Sequence, residues 1–398
     1  MLPAVKEGRR CCNRADFRLC GLLTSVGSEL AMSKSAVLLA AWVVFFAVPG
    51  AQQPHNTFEI YSIDVEGGQS TLFVSPSGES LLVDTGSPGD RDANRIAATA
   101  KQAGLTNLDY VLITHYDGDH VGGAKDVADR MPIRTFIDHG PRMPVRAAPP
   151  MTSQEKANVE RVDEAYRDAI GKGRHVVANA GDKLPIRGLD IQVVSSRGDV
   201  IKKPLQTAGA PNALCRAFTP HEPDTSENIN SLGMVISSFD GRFRLLDLGD
   251  LTWNTEHDLV CPNNLIGTVD VYIATHHGLA RSGPPALVHA VRPRVSIINN
   301  GPRKGASHET WDTLKSAPGL EDIWQLHYSV QRAPTPRFEE KGEPGGKDAN
   351  APEPFIANVD EAPPDHSPAF SLKISVQPDG SFVVANARNG YTKQYKAR

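Results

Sequence analysis

Residues 114–123 read "THYDGDHVGG", and the fold turns on them. Two histidines, His115 and His120, and two aspartates, Asp117 and Asp119, crowd into one short stretch behind the apolar run "LDYVLI" (108–113). That run reads as a buried β-strand. Imidazoles and carboxylates are costly to bury unless something pairs with them. On a loop at a strand end, all four can point at one centre. They are also the ligand types that zinc, manganese and iron accept. The plainer reading is a solvated acidic turn with incidental histidines. It fits poorly, because the strand is very apolar and matching groups recur at other strand ends. These are Asp84 in "LLVDTG", Asp250 in "LLDLGD", and His276 and His277 in "YIATHHG". Gly122 and Gly123 let the next helix start close against the loop.

Outward from this loop, strands and helices alternate. "FEIYSIDV", "STLFVS" and "SLLVDTG" read as successive strands between Gly, Pro and Ser turns. "DANRIAATAKQAG" has helical periodicity and stops at Gly104. "GGAKDVADRM" reads as the following helix and "RTFIDHG" as the following strand. Residues 141–175, Pro-rich and then helical, read as an insertion placed to roof a site. "LDIQVVSS", "SLGMVISSF" and "RFRLLDLGD" are strands, the last two joined as a hairpin through "FDGR". "VDVYIATHHG" and "RVSIINNG" are buried strands around the helix "PPALVHAV". Residues 333–368 have a loop composition rich in Pro, Glu, Gly and Asp. A C-terminal β-hairpin over 369–398 turns at Asp379-Gly380. The expectation is one α/β domain over 55–330 with two sheets inside and helices outside.

The 398 residues carry a formal charge of −4 and are 40% hydrophobic. This is enough for a sizeable core, and it offers no basic field of the kind a dedicated nucleic-acid-binding surface uses. The segment from Met32 has a lysine at its head, an apolar run from Ala36 to Val48 and small residues at Gly50 and Ala51. That is the layout of a secretory signal peptide, and the run is shorter than the ~18 residues a spanning helix needs. The expectation is therefore a leader over 32–51, an upstream extension over 1–31 that is not part of the native product, and a secreted or periplasmic protein off the membrane. Removing the leader leaves Cys215 and Cys261, which in an exported protein are expected to form a disulfide.

The order Asp84, His115-x-Asp117-x-Asp119-His120, Asp250, His277 resembles the metallo-β-lactamase superfamily, whose usual motif is HxHxDH. The form with aspartate in the middle is similar to the hydrolase domain of ComEC-type competence proteins and to choline-phosphate esterases of the same fold. Further matches are "DVEGGQSTLFV", "NINSLGMVI" and "GASHETW". The resemblance implies a four-layer αββα sandwich holding two divalent metal ions: zinc, with manganese or iron as alternatives. It assigns His115 and Asp117 to one ion, Asp119, His120 and His277 to the other, and Asp250 as the bridge. His276 and His308 are then expected to contact substrate, and Asp119 to take or relay a proton. Asp84 is expected to orient a ligand from behind.

Two departures stand out. Asp117 replaces an imidazole, which makes the site richer in oxygen and negative charge. The usual third-motif histidine is also missing, and "TPHEPDTSENINS" offers His221, Glu227 or Asn228 in its place. The implied reaction is hydrolysis of a phosphoester or related ester-like bond in a small-molecule or polymer substrate. Lactone, β-lactam or thioester hydrolysis is the alternative within enzymes, and a non-catalytic protein retaining the fold is the alternative outside them.

Overall fold

The computed structural model describes residues 56–143, 148, 150–330, 350–360 and 367–398. The expected leader and upstream extension lie outside the described residues, as does most of 333–368. The first sheet begins with β1 (Phe58–Ser62), β2 (Thr71–Val74), β3 (Ser80–Val83), β4 (Leu108–Leu112), β5 (Ile133–Asp138) and β6 (Arg174–Val177). The second sheet holds β7 (Lys183–Leu184), β8 (Asp190–Ser196), β9 (Asp199–Val200), β10 (Gly233–Ser238), β11 (Phe243–Asp247), β12 (Val271–Ile273), β13 (Val295–Ile298), β14 (Asp322–His327) and β15 (Ile356–Asn358). The chain then returns to the first sheet as β16 (Leu372–Val376), β17 (Phe382–Asn386) and β18 (Thr392–Tyr395), with β16 paired antiparallel to β1. The C-terminal segment is thus a three-stranded edge of the main domain, one strand more than a hairpin.

The helices are α1 (Asp90–Gln102), α2 (Ala124–Arg130), α3 (Ser153–Ile170), α4 (Trp253–Val260), α5 (Pro285–Val291) and α6 (His308–Lys315). Three apolar layers follow from strand alternation. Phe58, Phe73, Val83, Leu245, Val271, Ile297 and Trp324 fill the space between the sheets. Ile96, Val127 and Tyr166 cover the outer face of the first sheet, and Leu259, Leu287 and Trp311 that of the second. This is the αββα sandwich. Burying both faces of a sheet explains why β3, β4, β12 and β13 read as near-continuous apolar runs.

Two expectations need correction. Helix α3 of the expected insertion packs on the outer face of the first sheet and does not roof the site. Tyr166 and Ala169 of α3 join the outer core with α1 and α2, and β6 then pairs parallel to β5. The segment is an ordinary strand–helix–strand crossover, hidden because α3 is mostly polar and contributes few core residues. The Pro-rich stretch also contains a strand, β15, paired parallel to β14. Asn358 fixes it there by donating to Leu326 O and Phe370 O at 2.9 and 3.0 Å. Among the described residues no helix is long and apolar enough to cross a membrane.

Candidate metal centre

β3, β4, β11 and β12 end at one edge of the sandwich, and each releases a polar loop there. β4 delivers His115, Asp117, Asp119 and His120; β3 delivers Asp84; β11 delivers Asp250; β12 delivers His276 and His277. The loops are packed tightly enough that a Cβ on Gly123 would lie 2.2 Å from Thr85 O, which explains the glycine where the motif turns into α2. Asp84, His276 and His277 all have left-handed backbones, with φ of 60°, 57° and 57°. For non-glycine residues this costs on the order of 1–3 kcal/mol each and concentrates at functional sites.

The side chains converge on Asp250 Oδ2. Around it lie His120 Nε2 at 3.2 Å, His277 Nε2 at 3.3 Å, His276 Nε2 at 3.4 Å and His115 Nε2 at 4.0 Å. Asp119 Oδ2 is 3.7 Å from His120 Nε2 and 3.6 Å from His277 Nε2, and Asp117 Oδ2 is 3.8 Å from His115 Nε2. The four histidines and Asp250 are buried, whereas Asp117 and Asp119 sit at the mouth with 42% and 31% of their side chains exposed.

Behind this cluster Asp84 sets the histidine tautomers. Its Oδ2 lies 2.8 Å from His120 Nδ1 and accepts from Thr114 Oγ1 at 2.7 Å. The Thr114 hydroxyl, having donated its proton, accepts from His115 Nδ1 at 3.0 Å. Both rings therefore keep their proton on Nδ1 and turn an Nε2 lone pair toward the centre, which is how carboxylates orient metal-binding histidines. Ser282 does the same for His276: its hydroxyl donates to Leu251 O and faces Nδ1 at 3.2 Å.

The result is a cluster of lone pairs facing lone pairs. His120 Nε2 and His277 Nε2 are only 3.2 Å apart, and among the described residues His115 Nε2 and Asp250 Oδ1 have no hydrogen-bond partner. Only a proton or a cation between these atoms relieves the repulsion. Burial holds His115 down at about 4 and His276 at about 3, so neither ring supplies that proton near neutral pH. Against burial, Asp250, Asp84 and Asp119 raise His120 well above the imidazole range, so without an ion the proton sits on His120. Burial pushes on Asp250 in the opposite sense, but His120, His277 and His276 hold it well below the carboxylate range. Burial and the neighbouring Asp119 carboxylate push Asp117 up to about 6. The donor set suits divalent metal: His115, His120 and Asp250 form one group of potential ligands, and Asp119, His120 and His277 form another.

The third-motif candidates now separate. His221 is exposed, its ring set edge-on to Trp253 at 3.8 Å. Glu227 faces His139 at 3.1 Å. Asn228 comes to the centre, its Nδ2 lying 3.4 Å from His276 Nε2. His308 is not brought into the cluster. It opens α6 and faces Asp312 on the next turn at 3.4 Å, because Ser307 ahead of it is used as the helix cap. Cys215 and Cys261 are bonded, with their Cα atoms 5.6 Å apart.

Two groups escaped the sequence reading. Lys304 places its ammonium on Asp119 Oδ2. It stands directly before the "GASHETW" segment, but a lone surface-type lysine carries no periodic signal. Gln69, inside "DVEGGQS", donates to Asp247 at 2.9 Å beneath the centre and accepts from Asn299 at 3.1 Å. The loops carrying Asp250 and His277 continue into the walls of a cavity of about 360 Å³, lined by Thr252, Trp253 and Arg281.

The profile of the metallo-beta-lactamase superfamily matches residues 63–201. Recombination protein 2 of Haemophilus influenzae is 26% identical over 68% of this chain, and the chain spans only 27% of that protein's length. The lactamase-like protein notP of an Aspergillus species is 40% identical over 65 residues, covering 16% of this chain and 20% of its own. Among solved structures, the metallo-beta-lactamase fold protein YhfI of Bacillus subtilis is 12% identical with a TM-score of 0.39, covering 68% of this chain and 95% of its own. Over residues 63–201 the chain is similar to the metallo-β-lactamase superfamily, and over 68% of its length it is similar to a ComEC-like recombination protein.

Proposed function

We propose that the protein is an exported two-metal hydrolase acting on a phosphoester. The observation that carries this reading is the convergence of four imidazole Nε2 atoms on one buried oxygen of Asp250, with the tautomers of His115, His120 and His276 fixed from behind. His115, Asp117 and Asp250 would hold one ion; Asp119, His120, His277 and the same Asp250 would hold the other. Divalent ions held by these residues would supply an activated water and Lewis-acid polarisation of the ester bond. Zinc fits the imidazoles, and the three carboxylates also admit manganese or iron.

The chain's own residues do the rest. Asp84 and Thr114 keep the His115 and His120 lone pairs pointed inward. His276, with Nδ1 against Ser282, offers Nε2 beside Asn228 at the edge of the cluster and contacts the substrate oxygen there. Asp119, partly open to solvent, relays the proton to the leaving oxygen as the P–O bond breaks. Export is supported by the leader-like segment from Met32 and by the Cys215–Cys261 bridge, since such bonds persist in oxidising compartments.

The test is metal analysis of the purified protein alongside a hydrolysis screen with p-nitrophenyl phosphodiesters, lactones and cephalosporins. About two equivalents of metal and phosphodiester turnover are expected. Turnover confined to lactones or cephalosporins would reject the phosphoester, and protein purified without stoichiometric metal would reject the enzyme.

A further inference from the structure

Lys304 occupies a position built by three loops. Residues 301–304 form a closed turn in which Gly301 N donates to Lys304 O at 2.9 Å. The turn is clamped to the histidine loop, because Ala306 N donates to His277 O at 2.9 Å and Ser307 N to Gly278 O at 2.8 Å. Gly305, at φ 81°, permits this approach: a Cβ there would stand 2.1 Å from His277 O. The loop through Gly67 and Gly68 closes the other side, and a Cβ on Gly68 would lie 2.3 Å from Asp119 O. The ammonium is thereby delivered to Asp119 Oδ2, with 32% of the side chain still open to solvent. Burial works against its charge, but Asp119, Asp250 and Asp117 together favour it.

Charge counting gives this position a meaning. Asp117, Asp119 and Asp250 put three carboxylates where the usual superfamily motif has one fewer. With two divalent ions and the attacking hydroxide, such a cluster is neutral and has no charge with which to attract an anion. Lys304 restores one positive charge at the open side of the site, and its three N–H donors leave two beyond the bond to Asp119. We propose that Lys304 sets the charge preference of the site, making it select a monoanionic substrate, such as a phosphodiester, over a neutral ester. This rests on the two-metal reading above.

The experiment measures binding, so that it stands apart from the hydrolysis screen. The metal-loaded protein is titrated calorimetrically with dimethylphosphinate, a monoanion, and with trimethylphosphine oxide, its neutral counterpart. Wild type is expected to prefer the anion by about tenfold or more, the scale of one charge-assisted hydrogen bond. Lys304→Met should abolish that preference, and Lys304→Arg should keep it to within about threefold, with metal content equal in all three proteins. A preference that survives in Lys304→Met overturns the proposal. So does a loss of metal in that variant, which would make the lysine a support of the metal ligands. If phosphodiesters are not hydrolysed but the lysine-dependent preference is found, the reaction assigned above fails and the role of Lys304 stands.

Discussion

Among the described residues two buried clusters contain the residue types that bind metals, and they differ in what faces their lone pairs. In the first, imidazole and carboxylate lone pairs converge on Asp250 with few donors between them. In the second, Asp64, Glu66 and His327 lie close enough to share an ion, but the chain supplies its own cation. Arg95 reaches Asp64 Oδ2 at 3.2 Å and Glu66 Oε1 at 3.3 Å, and His327 Nε2 sits 2.7 Å from Asp64 Oδ1. The backbone N–H of Glu66 donates to Asp64 at 2.9 Å. Proximity of acids and histidines is therefore a poor guide to a metal site. What distinguishes the first cluster is that its donors point away from the centre and its lone pairs point toward it.

The largest expected effect comes from removing the oxygen on which the first cluster converges. Asp250→Ala should take bound metal from about two equivalents to less than one and lower turnover at least a hundredfold, since one carboxylate serves both ions. Full metal content and full rate in this variant would break the comparison at its first term. Asp64→Asn tests the second term. It removes the carboxylate shared by Arg95 and His327 but leaves them Glu66, so it should cost about 1.5–3 kcal/mol in denaturant unfolding while leaving metal content unchanged. A fall in metal content would make the second cluster a metal site after all. The smallest effect sharpens the distinction between holding an ion and aiming the ligands. Asp84→Ala should weaken metal affinity by about 10–100-fold, as measured by chelator competition, while the ligand set stays complete. An effect as large as that of Asp250→Ala would make Asp84 a ligand itself.

The two halves of the site were unequally legible in the sequence. His115, Asp117, Asp119 and His120 are contiguous, and an apolar strand announces them, so their proximity follows from local spacing alone. Asp250, His276 and His277 could be read because each also ends a buried strand, and strand ends gather at one edge of a sandwich. Asn228 lies in a single 3-10 turn and Lys304 in a tight loop, both placed by packing between distant segments, so no periodicity marks them. His308 follows the Ser307 cap in sequence, and the helix sets it beside Asp312, outside the cluster of lone pairs. The sheet order was similarly only half legible. Alternation located β1 to β5, but nothing local in "SLKISV" says that β16 pairs with β1 across more than three hundred residues.

The bridge between Cys215 and Cys261 encloses the whole segment that carries Asn228, β10, β11 and Asp250. The segment's first turn is further pinned to α4, with Phe218 stacked on His257 at 4.2 Å and the Asn254 amide bonded to the His221 backbone. Arg216, exposed just inside the ring, offers a cleavage point to any protease that cuts after basic residues. Because that point lies within the closed loop, a cut there does not release a fragment. The two pieces stay covalently joined and held against the same sheet, so a nicked molecule can keep its metal centre together for as long as the surroundings remain oxidising.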